Sequence, residues 1–326
     1  MKKLILSCLV CISTLFTSCN TSSNHYWLDN PTNEPITVYI DHTAYEIPAM
    51  TKLDIDLEYG KHQLKYNGQE LIILNAGKVN KGKVIINPTQ STYVFMAHKF
   101  INENDERATD EYIKWAMKQH NDSLRLKIND TITTIFVPFK VTNKLFIDNS
   151  EYNWQYNIEE PMPEGITLSP PIITSRNRSL QNDPNYQAGQ FQETLFKIYR
   201  EQEFKDYLKT SSDDKIEFLI EKTPYAELPK FKLELTKINN IKDPEYKIAL
   251  DQQIREFYEW LDMKGSKSTS GSKALSRSYY EFKKKKSEYL NKYPKDFSFN
   301  EAVNEYEDQI NEITYKDLTI LDESLK

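Results

Sequence analysis

The apolar pattern of this chain changes along its length, and that change constrains the fold more than any other feature. In the first third, short apolar runs are separated by turn residues, and Leu53-Asp54-Ile55-Asp56-Leu57 alternates apolar and acidic residues. A period of two is typical of a strand with one face in water. In the last third, apolar residues recur every three or four positions, which indicates amphipathic helices. The sequence therefore predicts an α+β protein.

Residues 25–100 are predicted to form a small antiparallel β-sandwich. Short strand-like runs follow one another at regular spacing with turn signals between them, a pattern typical of sandwiches. Asn67-Gly68 is the clearest turn, because a tight hairpin needs positive φ at these positions. Tyr59-Gly60 ends the alternating run that precedes it.

Residues 101–190 are predicted to be a mixture of strands and irregular structure. Asp110–Lys118 is expected to be a helix, and Leu124–Ile128 and Thr133–Ile147 are expected to be strands. Five prolines then fall between residues 148 and 190, where they favour extended backbone over helix. Around Leu195–Tyr199 the pattern fits either a strand or the start of a helix.

Residues 191–326 are predicted to form a C-terminal helical domain of three or four helices. Asp243-Pro244-Glu245 indicates a helix start, with a capping carboxylate followed by proline at the first helical position. Ser266–Ser272 is rich in glycine and serine and is expected to be a loop. Ser298-Phe299-Asn300-Glu301 fits a capping box, in which the serine and the glutamate side chains cap the start of the last helix.

Residues 1–18 are predicted to be a signal peptide. Lys2 and Lys3 precede a mostly apolar run of 13 residues, Leu4–Phe16, which is shorter than the about 20 residues that cross a bilayer as a helix. The next residues, Phe16-Thr17-Ser18-Cys19, resemble the lipobox of bacterial lipoproteins of the Bacteroides group. This resemblance implies cleavage before Cys19, attachment of lipid to its sulfur, and a tether over residues 19–24.

The distribution of cysteine favours that interpretation over an ordinary leader with an incidental cysteine. All three cysteines, Cys8, Cys11 and Cys19, lie in the first 19 residues, and the remaining 307 residues contain none. A chemical role for the Cys19 thiol explains this distribution best. Several acyl chains, palmitate among them, would then anchor the protein stably. The mature chain would have no disulfide and no thiolate metal site.

The charge balance argues against nucleic acid as a partner. Without Lys2 and Lys3, 40 basic residues face 48 acidic residues, a net charge of −8. A chain of this charge repels a polyanion. An envelope location would remove nucleic acid as a partner altogether.

The sequence predicts no catalytic residue, no metal site and no cofactor. Two Ser-x-x-Lys matches, Ser212/Lys215 and Ser270/Lys273, are expected by chance in a chain of this composition and lack the companion motifs of the serine enzymes that use them. None of the five histidines forms a zinc-protease motif. A glycosidase would need two opposed carboxylates across a cleft, which a sequence alone cannot establish.

Two stretches are candidate contact surfaces. Tyr152, Trp154 and Tyr156 would share one face if their segment is a strand, and could then bind a glycan or a partner protein; packing against the core is the alternative. The run Lys283-Lys284-Lys285-Lys286 could contact an anionic surface. Its alternative is a solvated helix face, with one lysine stem lying along the apolar side.

A further resemblance covers residues 36–68, where a strand, a short turn, a proline and an alternating strand are followed by Gly60-Lys61-His62-Gln63-Leu64. This order resembles the PEGA-like β-modules of bacterial envelope proteins, which implies a binding or spacer role. Glu46-Ile47 stands before the proline, where that family usually has glycine.

These observations predict a lipid-anchored envelope protein that acts by binding or assembly. The alternative is an envelope hydrolase acting on glycan or peptidoglycan. Asn20 follows the cysteine in place of the aspartate that retains many lipoproteins at the inner membrane, so the resemblance favours the outer membrane. The tether lacks the acidic cluster linked to surface display, which favours the periplasmic face.

Overall fold

A computed structural model of the protein describes residues 22–77, 84–100, 123–137, 139–164, 193–209 and 215–325. Cys19 and the predicted helix Asp110–Lys118 lie outside the described residues, as does most of the proline-rich stretch. In the part that is described, strands and helices are both abundant, and the long helices are in the last third. The prediction of an α+β protein is therefore confirmed.

The strands and helices are labelled in chain order. The strands are β1 (Ser23–Asn30), β2 (Ile36–Ile40), β3 (Thr43–Ile47), β4 (Thr51–Glu58), β5 (Gly60–Tyr66), β6 (Gln69–Asn75), β7 (Val84–Ile86), β8 (Tyr93–Phe100), β9 (Ser123–Ile128), β10 (Thr131–Phe136), β11 (Phe139–Thr142), β12 (Phe146–Asp148), β13 (Glu193–Arg200), β14 (Ile216–Phe218) and β15 (Leu318–Leu321). The helices are α1 (Asn149–Tyr152), α2 (Glu201–Lys209), α3 (Pro244–Leu261), α4 (Gly265–Lys292) and α5 (Ser298–Thr314). Short 3₁₀ turns cover Tyr225–Glu227, Lys237–Asn240 and Glu323–Leu325.

The strands form four sheets. A four-stranded sheet has the order β12-β7-β1-β4, and a five-stranded sheet has the order β15-β6-β5-β2-β3. Two three-stranded sheets have the orders β11-β8-β13 and β10-β9-β14. Neighbouring strands are antiparallel except for β1 and β7, which run parallel with Trp27 opposite Ile85.

The four-stranded and five-stranded sheets bury side chains against each other. Leu28 and Ile55 from the first sheet share one core with Val38, Leu64 and Ile73 from the second. The period-two pattern of the sequence supplies these residues, because alternate side chains of each strand point to the same face. On the outer face of the four-stranded sheet, side chains of β8 and β13 form a second core.

The helices cover the other face of the five-stranded sheet. Leu74 of β6 and Leu321 of β15 belong to the same core as Phe257 of α3, Tyr289 of α4 and Val303 of α5. In β15, Leu318 and Ile320 face the core between the sheets, whereas Leu321 faces the helices. The last strand of the chain thus joins a sheet built mainly from the first third.

Several local predictions are confirmed. Asn67 and Gly68 have φ of 49° and 75° and connect β5 to β6. Asp243 caps α3, and its side chain accepts a hydrogen bond from the Glu245 amide at 3.0 Å. Leu195–Tyr199 lies inside β13, which passes directly into α2.

The predicted loop at Ser266–Ser272 is wrong, because these residues begin α4. Within the helix, the Ser270 hydroxyl donates to the Ser266 carbonyl at 3.1 Å, so it does not compete with the helix for backbone groups. Gly271 is required by packing, since a Cβ there would overlap Met263 Sδ and lie 3.1 Å from Trp260 Cδ1. Tertiary contact with α3 therefore outweighs the weak helix preference of glycine and serine.

The predicted capping box at Ser298 is also wrong. The capping position is Phe297, which makes no side-chain cap hydrogen bond. Asp296 takes that role, because its carboxylate accepts from the Ser298 amide at 2.9 Å. The Ser298 hydroxyl instead pairs with the Tyr289 hydroxyl at 3.0 Å, which ties α5 to α4.

Candidate binding cleft

A cleft of about 500 Å³ lies between β12, an edge of the four-stranded sheet, and β15, an edge of the five-stranded sheet. Its walls are completed by α1, the segment before Phe231 and the end of α5. Because two packed sheets share a core up to their edges, the residues lining the cleft include core residues. Val84, Leu145, Leu318 and Ile320 belong both to the core between the sheets and to the lining of the cleft.

The edge of β15 is covered along only part of its length. The Phe231 amide donates to the Ile320 carbonyl at 2.7 Å, and the Asp322 amide donates to the Phe231 carbonyl at 2.8 Å. Leu318 lies two residues before Ile320, so its backbone groups face the same side of the strand. The cleft begins beside this stretch of the edge.

Thr319 lines the cleft and is buried, with 8% of its surface exposed. Among the described residues, no group forms a hydrogen bond with its Oγ1. A buried hydroxyl is normally satisfied, because leaving one without a partner costs about 1–3 kcal/mol. The Oγ1 atom is enclosed, and by the alternation of β15 it lies on the same face as Leu321, which points to the helices.

Charged side chains surround the apolar lining. Lys144 Nζ pairs with Glu151 Oε1 at 2.5 Å. Burial works to lower the pKa of Lys144, but its hydrogen bonds to Glu151 and Tyr152 and the charges of these two residues together raise it. The Asp148 carboxylate caps α1 by accepting from the Ser150 amide at 2.7 Å. The other charged residues of the lining are Lys230, Lys316, Glu312 and Asp317.

A second polar cluster is centred on Arg200, at the end of β13. Arg200 and Asp29 are 1% and 0% exposed. Arg200 donates through Nε and Nη2 to the two carboxylate oxygens of Asp29, at 3.0 and 2.6 Å. Nη2 also donates to Glu159 at 2.6 Å, and Nη1 donates to Glu203 at 2.8 Å. Tyr93 donates its hydroxyl to the same Asp29 carboxylate.

The electrostatics of this cluster follow from burial and pairing. Burial raises the pKa of Asp29, although Arg200 and Tyr93 hydrogen-bond to its charged form. For Arg200, burial acts to lower the pKa, but the bonds to Asp29 and Glu159 raise it further above its ordinary value. The guanidinium therefore stays charged. Each of its nitrogens already donates to a carboxylate. The cluster therefore connects β1, β13 and the turn that contains Glu159.

The neighbouring Lys197 fastens the same turn. Its Nζ donates to the Asn157 carbonyl at 2.9 Å and to the Glu160 carbonyl. Burial lowers the pKa of Lys197. Trp154 Nε1 donates to Asn157 Oδ1 at 2.9 Å, so the turn is held from both sides.

The buried His62 and the half-buried Asp41 form a smaller pair. His62 Nδ1 lies 2.8 Å from Asp41 Oδ2, and Nε2 lies 2.7 Å from the Glu58 carbonyl. Burial works to raise the pKa of Asp41, but the Gln63 amide and His62 outweigh it and lower the pKa. In the described part of the chain, no three or more His, Cys, Asp or Glu residues are grouped in a way that could hold a metal ion.

The aromatic residues singled out from the sequence are not on one strand face. Tyr152 ends α1, and Asn153 follows it in the left-handed conformation with φ of 56°. Trp154 is 3% exposed and packs in the core of β8 and β13. The Tyr152 ring stacks on Phe95 with centroids 4.0 Å apart. The strand on which the shared face depended is therefore wrong, and Trp154 is a packing residue.

The four consecutive lysines lie in α4 and spread around it. Lys283 and Lys284 are exposed, and Lys285 and Lys286 are half-buried. Lys286 Nζ donates to Asn304 of α5 at 2.7 Å. Lys285 Nζ lies 5.9 Å from the Tyr246 ring centroid. As expected of four successive helical residues, part of the run packs toward the neighbouring helices.

Sequence reasoning missed the Arg200 cluster and the cleft because their residues are far apart in the chain. Asp29 and Arg200 are 171 residues apart. One signal was present: arginine accounts for only seven of 42 basic residues, and Arg200 directly follows the apolar run of β13. Arginine is the residue that pairs best with buried carboxylates.

Comparison with known proteins assigns no family. No family model, no curated protein and no solved structure matches the chain. In the described residues, no helix combines the length and the apolar composition needed to cross a membrane. A function for the chain has to be inferred from its own residues.

Proposed function

We propose that the chain is a lipid-anchored protein of the bacterial cell envelope that acts by binding or assembly. The observation that carries this proposal is the lipobox-like run that ends at Cys19, four residues before β1 begins at Ser23. A lipid on Cys19 would attach the folded part to a membrane without a transmembrane segment. Asn20, which follows Cys19 in place of aspartate, favours the outer membrane, and the absence of an acidic cluster from the tether favours its periplasmic face.

Within this proposal, the four-stranded and five-stranded sheets form a β-sandwich that serves as a binding module. The shared core of the two sheets supports this interpretation. The cleft between their edges is the candidate site, because it combines apolar lining with a few polar groups, as ligand sites do. Envelope proteins and glycans remain candidate partners, and no cofactor is required.

The arrangement of the carboxylates favours binding over hydrolysis. A glycosidase needs one carboxyl group to donate a proton and a second group free to act on the other face of the sugar. In the Arg200 cluster, Asp29, Glu159 and Glu203 all accept from one guanidinium. Carboxylates that are held in this way are occupied by structural bonds.

Anchoring is tested by Cys19→Ala. Cells grown with radiolabelled palmitate should label the wild type and not this variant, which should also leave the membrane fraction or remain unprocessed. Cys11→Ala is the matched control, since Cys11 lies in the leader, and it should be labelled normally. Equal labelling of Cys19→Ala and wild type would refute the proposed anchor.

Binding through the cleft is tested by placing a photoreactive amino acid at Phe146, which lines the cleft. Irradiation of cells should give defined cross-linked products from this position. Ile248, an exposed residue of α3, is the control and should give none. Equal products from both positions would contradict a binding site in the cleft.

A further inference from the structure

If Cys19 carries a lipid, the short tether would hold one end of the fold against the membrane. The Tyr59 amide donates to the Ser22 carbonyl at 2.8 Å, and the Gly265 amide donates to the Tyr59 carbonyl at 2.8 Å. Ser22, Tyr59 and Gly265 therefore meet, and we call this region the tether end. Three residues span at most about 10 Å, so a lipid on Cys19 would keep the tether end close to the bilayer.

In the five-stranded sheet, the strand register places the start of β15 level with the tether end. Gly60 lies opposite Asn75, and Asn75 lies opposite Leu318. The Tyr26 hydroxyl also donates to the Asp317 carbonyl at 3.4 Å. The start of β15 is thus at the tether end.

The register of the four-stranded sheet leads to the same end of β12. The parallel pairing of Trp27 with Ile85 sets Val84 level with Tyr26, three residues from the start of β1. Val84 lies opposite Asp148, the last residue of β12. Both strands that border the cleft therefore have an end near the tether, and the cleft runs from there along the open edge of the two sheets.

The lining of the cleft suits a hydrocarbon chain. Val84, Leu145, Leu318 and Ile320 are core residues that reach the edge, so a chain in the cleft would extend an existing apolar core. A volume of about 500 Å³ falls in the range of ligand sites, about 300–1,000 Å³.

The charges around the cleft do not select an anionic head group. Three lysines line it, and four carboxylates accompany them, two of which, Asp148 and Asp317, lie at the tether end. Lys144 is already paired with Glu151. The cleft therefore carries a small net negative charge, which disfavours an amphiphile of the same sign.

We propose that the cleft takes up the hydrocarbon chain of a neutral or zwitterionic amphiphile from the bilayer in which Cys19 is anchored. The source of the amphiphile in this inference rests on the proposed function, because the tether brings the cleft to that membrane. The chemistry of the cleft is independent of it. The two parts can therefore be tested separately.

The test couples the mature chain, from Cys19 onward, to a maleimide lipid in phosphatidylcholine vesicles. Cys19 is the only cysteine from that residue on, so the coupling is selective and does not depend on natural lipidation. The vesicles carry a phosphatidylcholine with a diazirine on its acyl chain. After irradiation, mass spectrometry should locate cross-links at Phe146, Phe231 and Leu318–Ile320. Cross-links confined to Ser22–Asn24 and Lys264–Lys267, or none at all, would overturn the proposal.

Blocking the cleft should remove these cross-links. Leu228→Trp fills the lining with a larger side chain, and we expect at least a fivefold loss of labelling at Leu318–Ile320. Ser150→Trp, at an exposed position of the lining, should act similarly without touching the core. Ile248→Trp on α3 is the control and should label as wild type. Unchanged labelling in a folded Ser150→Trp protein would count against the cleft.

Two further experiments test the charge and the source of the amphiphile. A diazirine phosphatidylglycerol should label the cleft less than the phosphatidylcholine, and equal labelling would overturn the charge argument. A soluble diazirine lysophosphatidylcholine, added to protein that is not coupled, should also label the cleft, because the chemistry of the cleft does not depend on the membrane. If it labels the cleft while the vesicle lipid does not, the membrane source is wrong. Absence of palmitate labelling in cells would refute natural anchoring and leave these results unaffected.

Discussion

The Arg200 cluster and the edge cleft both gather charged residues from distant parts of the chain, but they differ in what these residues surround. In the cluster, three carboxylates and a tyrosine hydroxyl surround one buried guanidinium, and the donors are used. In the cleft, charged side chains surround an apolar lining that contains edge residues of the core. Charged residues from distant parts of the chain thus hold the fold together in the Arg200 cluster and surround a candidate site in the cleft.

The largest expected effect is in the cluster. Arg200→Ala would leave Asp29 buried without its counter-charge, and breaking a buried ion pair in this way costs about 3–5 kcal/mol. Urea unfolding should show a loss of this size. Arg255→Ala is the matched control, because Arg255 is exposed on α3 and bonds only to Gln252 within its own helix in the described structure; it should change stability little. Equal losses of stability in the two variants would show that the buried Arg200 cluster stabilises the fold no more than an exposed arginine does.

Trp154→Ala should cost a similar or slightly smaller amount. Trp154 is 3% exposed, and removal of a buried aromatic side chain costs about 3–5 kcal/mol. It would also release the turn that leads to Glu159, because Trp154 holds Asn157. Tyr280→Ala, at a residue that is 67% exposed on α4, is the control. A melting temperature within a degree or two of wild type would show that Trp154 adds little to the core and would make it a candidate partner-binding residue again.

In the cleft the corresponding change should be nearly neutral. Thr319→Val replaces a hydroxyl that lacks a partner in the described structure with a methyl group of similar size, which removes a desolvation cost. We expect the free energy of unfolding to stay within about 1 kcal/mol of wild type or to rise. A loss above about 2 kcal/mol would show that the hydroxyl has a structural partner, and the contrast with Arg200 would weaken.

Local patterns in the sequence predicted local structure well. Asn67-Gly68 and Asp243-Pro244 each determine their own turn or helix start, because the residues that interact are neighbours in the chain. The prediction at Ser266–Ser272 failed because the packing of this segment involves Trp260 of the preceding helix and Met263 in the turn that follows that helix.

The candidate site could not be predicted for the same physical reason. Its walls come from residues 84, 144–151, 228–231 and 312–320, and only the pairing of β12 with β7 and of β15 with β6 brings them together. For Tyr152, Trp154 and Tyr156 the sequence left a shared strand face and core packing as alternatives, and the structure has Trp154 packed in the core. Asn153 breaks the alternation with positive φ, and the bonds that fix Asn157 come from β13, 40 residues later.

The smallest effect is expected where a carboxylate is well bonded but lies near the surface. The hydroxyl and the amide of Ser298 lower the pKa of Asp296 to about 2 from its ordinary value of 3.8. A carboxyl group whose pKa is lower in the folded state stabilises the fold fully above its unfolded pKa, and this contribution is lost as pH falls toward the folded value. Asp296→Asn keeps a good cap for α5 but no longer ionises, so at pH 7 it should lose the contribution of the charged form, a smaller loss than that of Arg200→Ala. Between about pH 4 and pH 2, urea unfolding of the variant should depend less on pH than that of wild type. Asp308→Asn makes the same charge change in the middle of α5 and is the matched control. If Asp296→Asn lowered the free energy of unfolding at pH 7 as much as Arg200→Ala, burial would not explain why the Arg200 cluster stabilises the fold more than the other charged sites do.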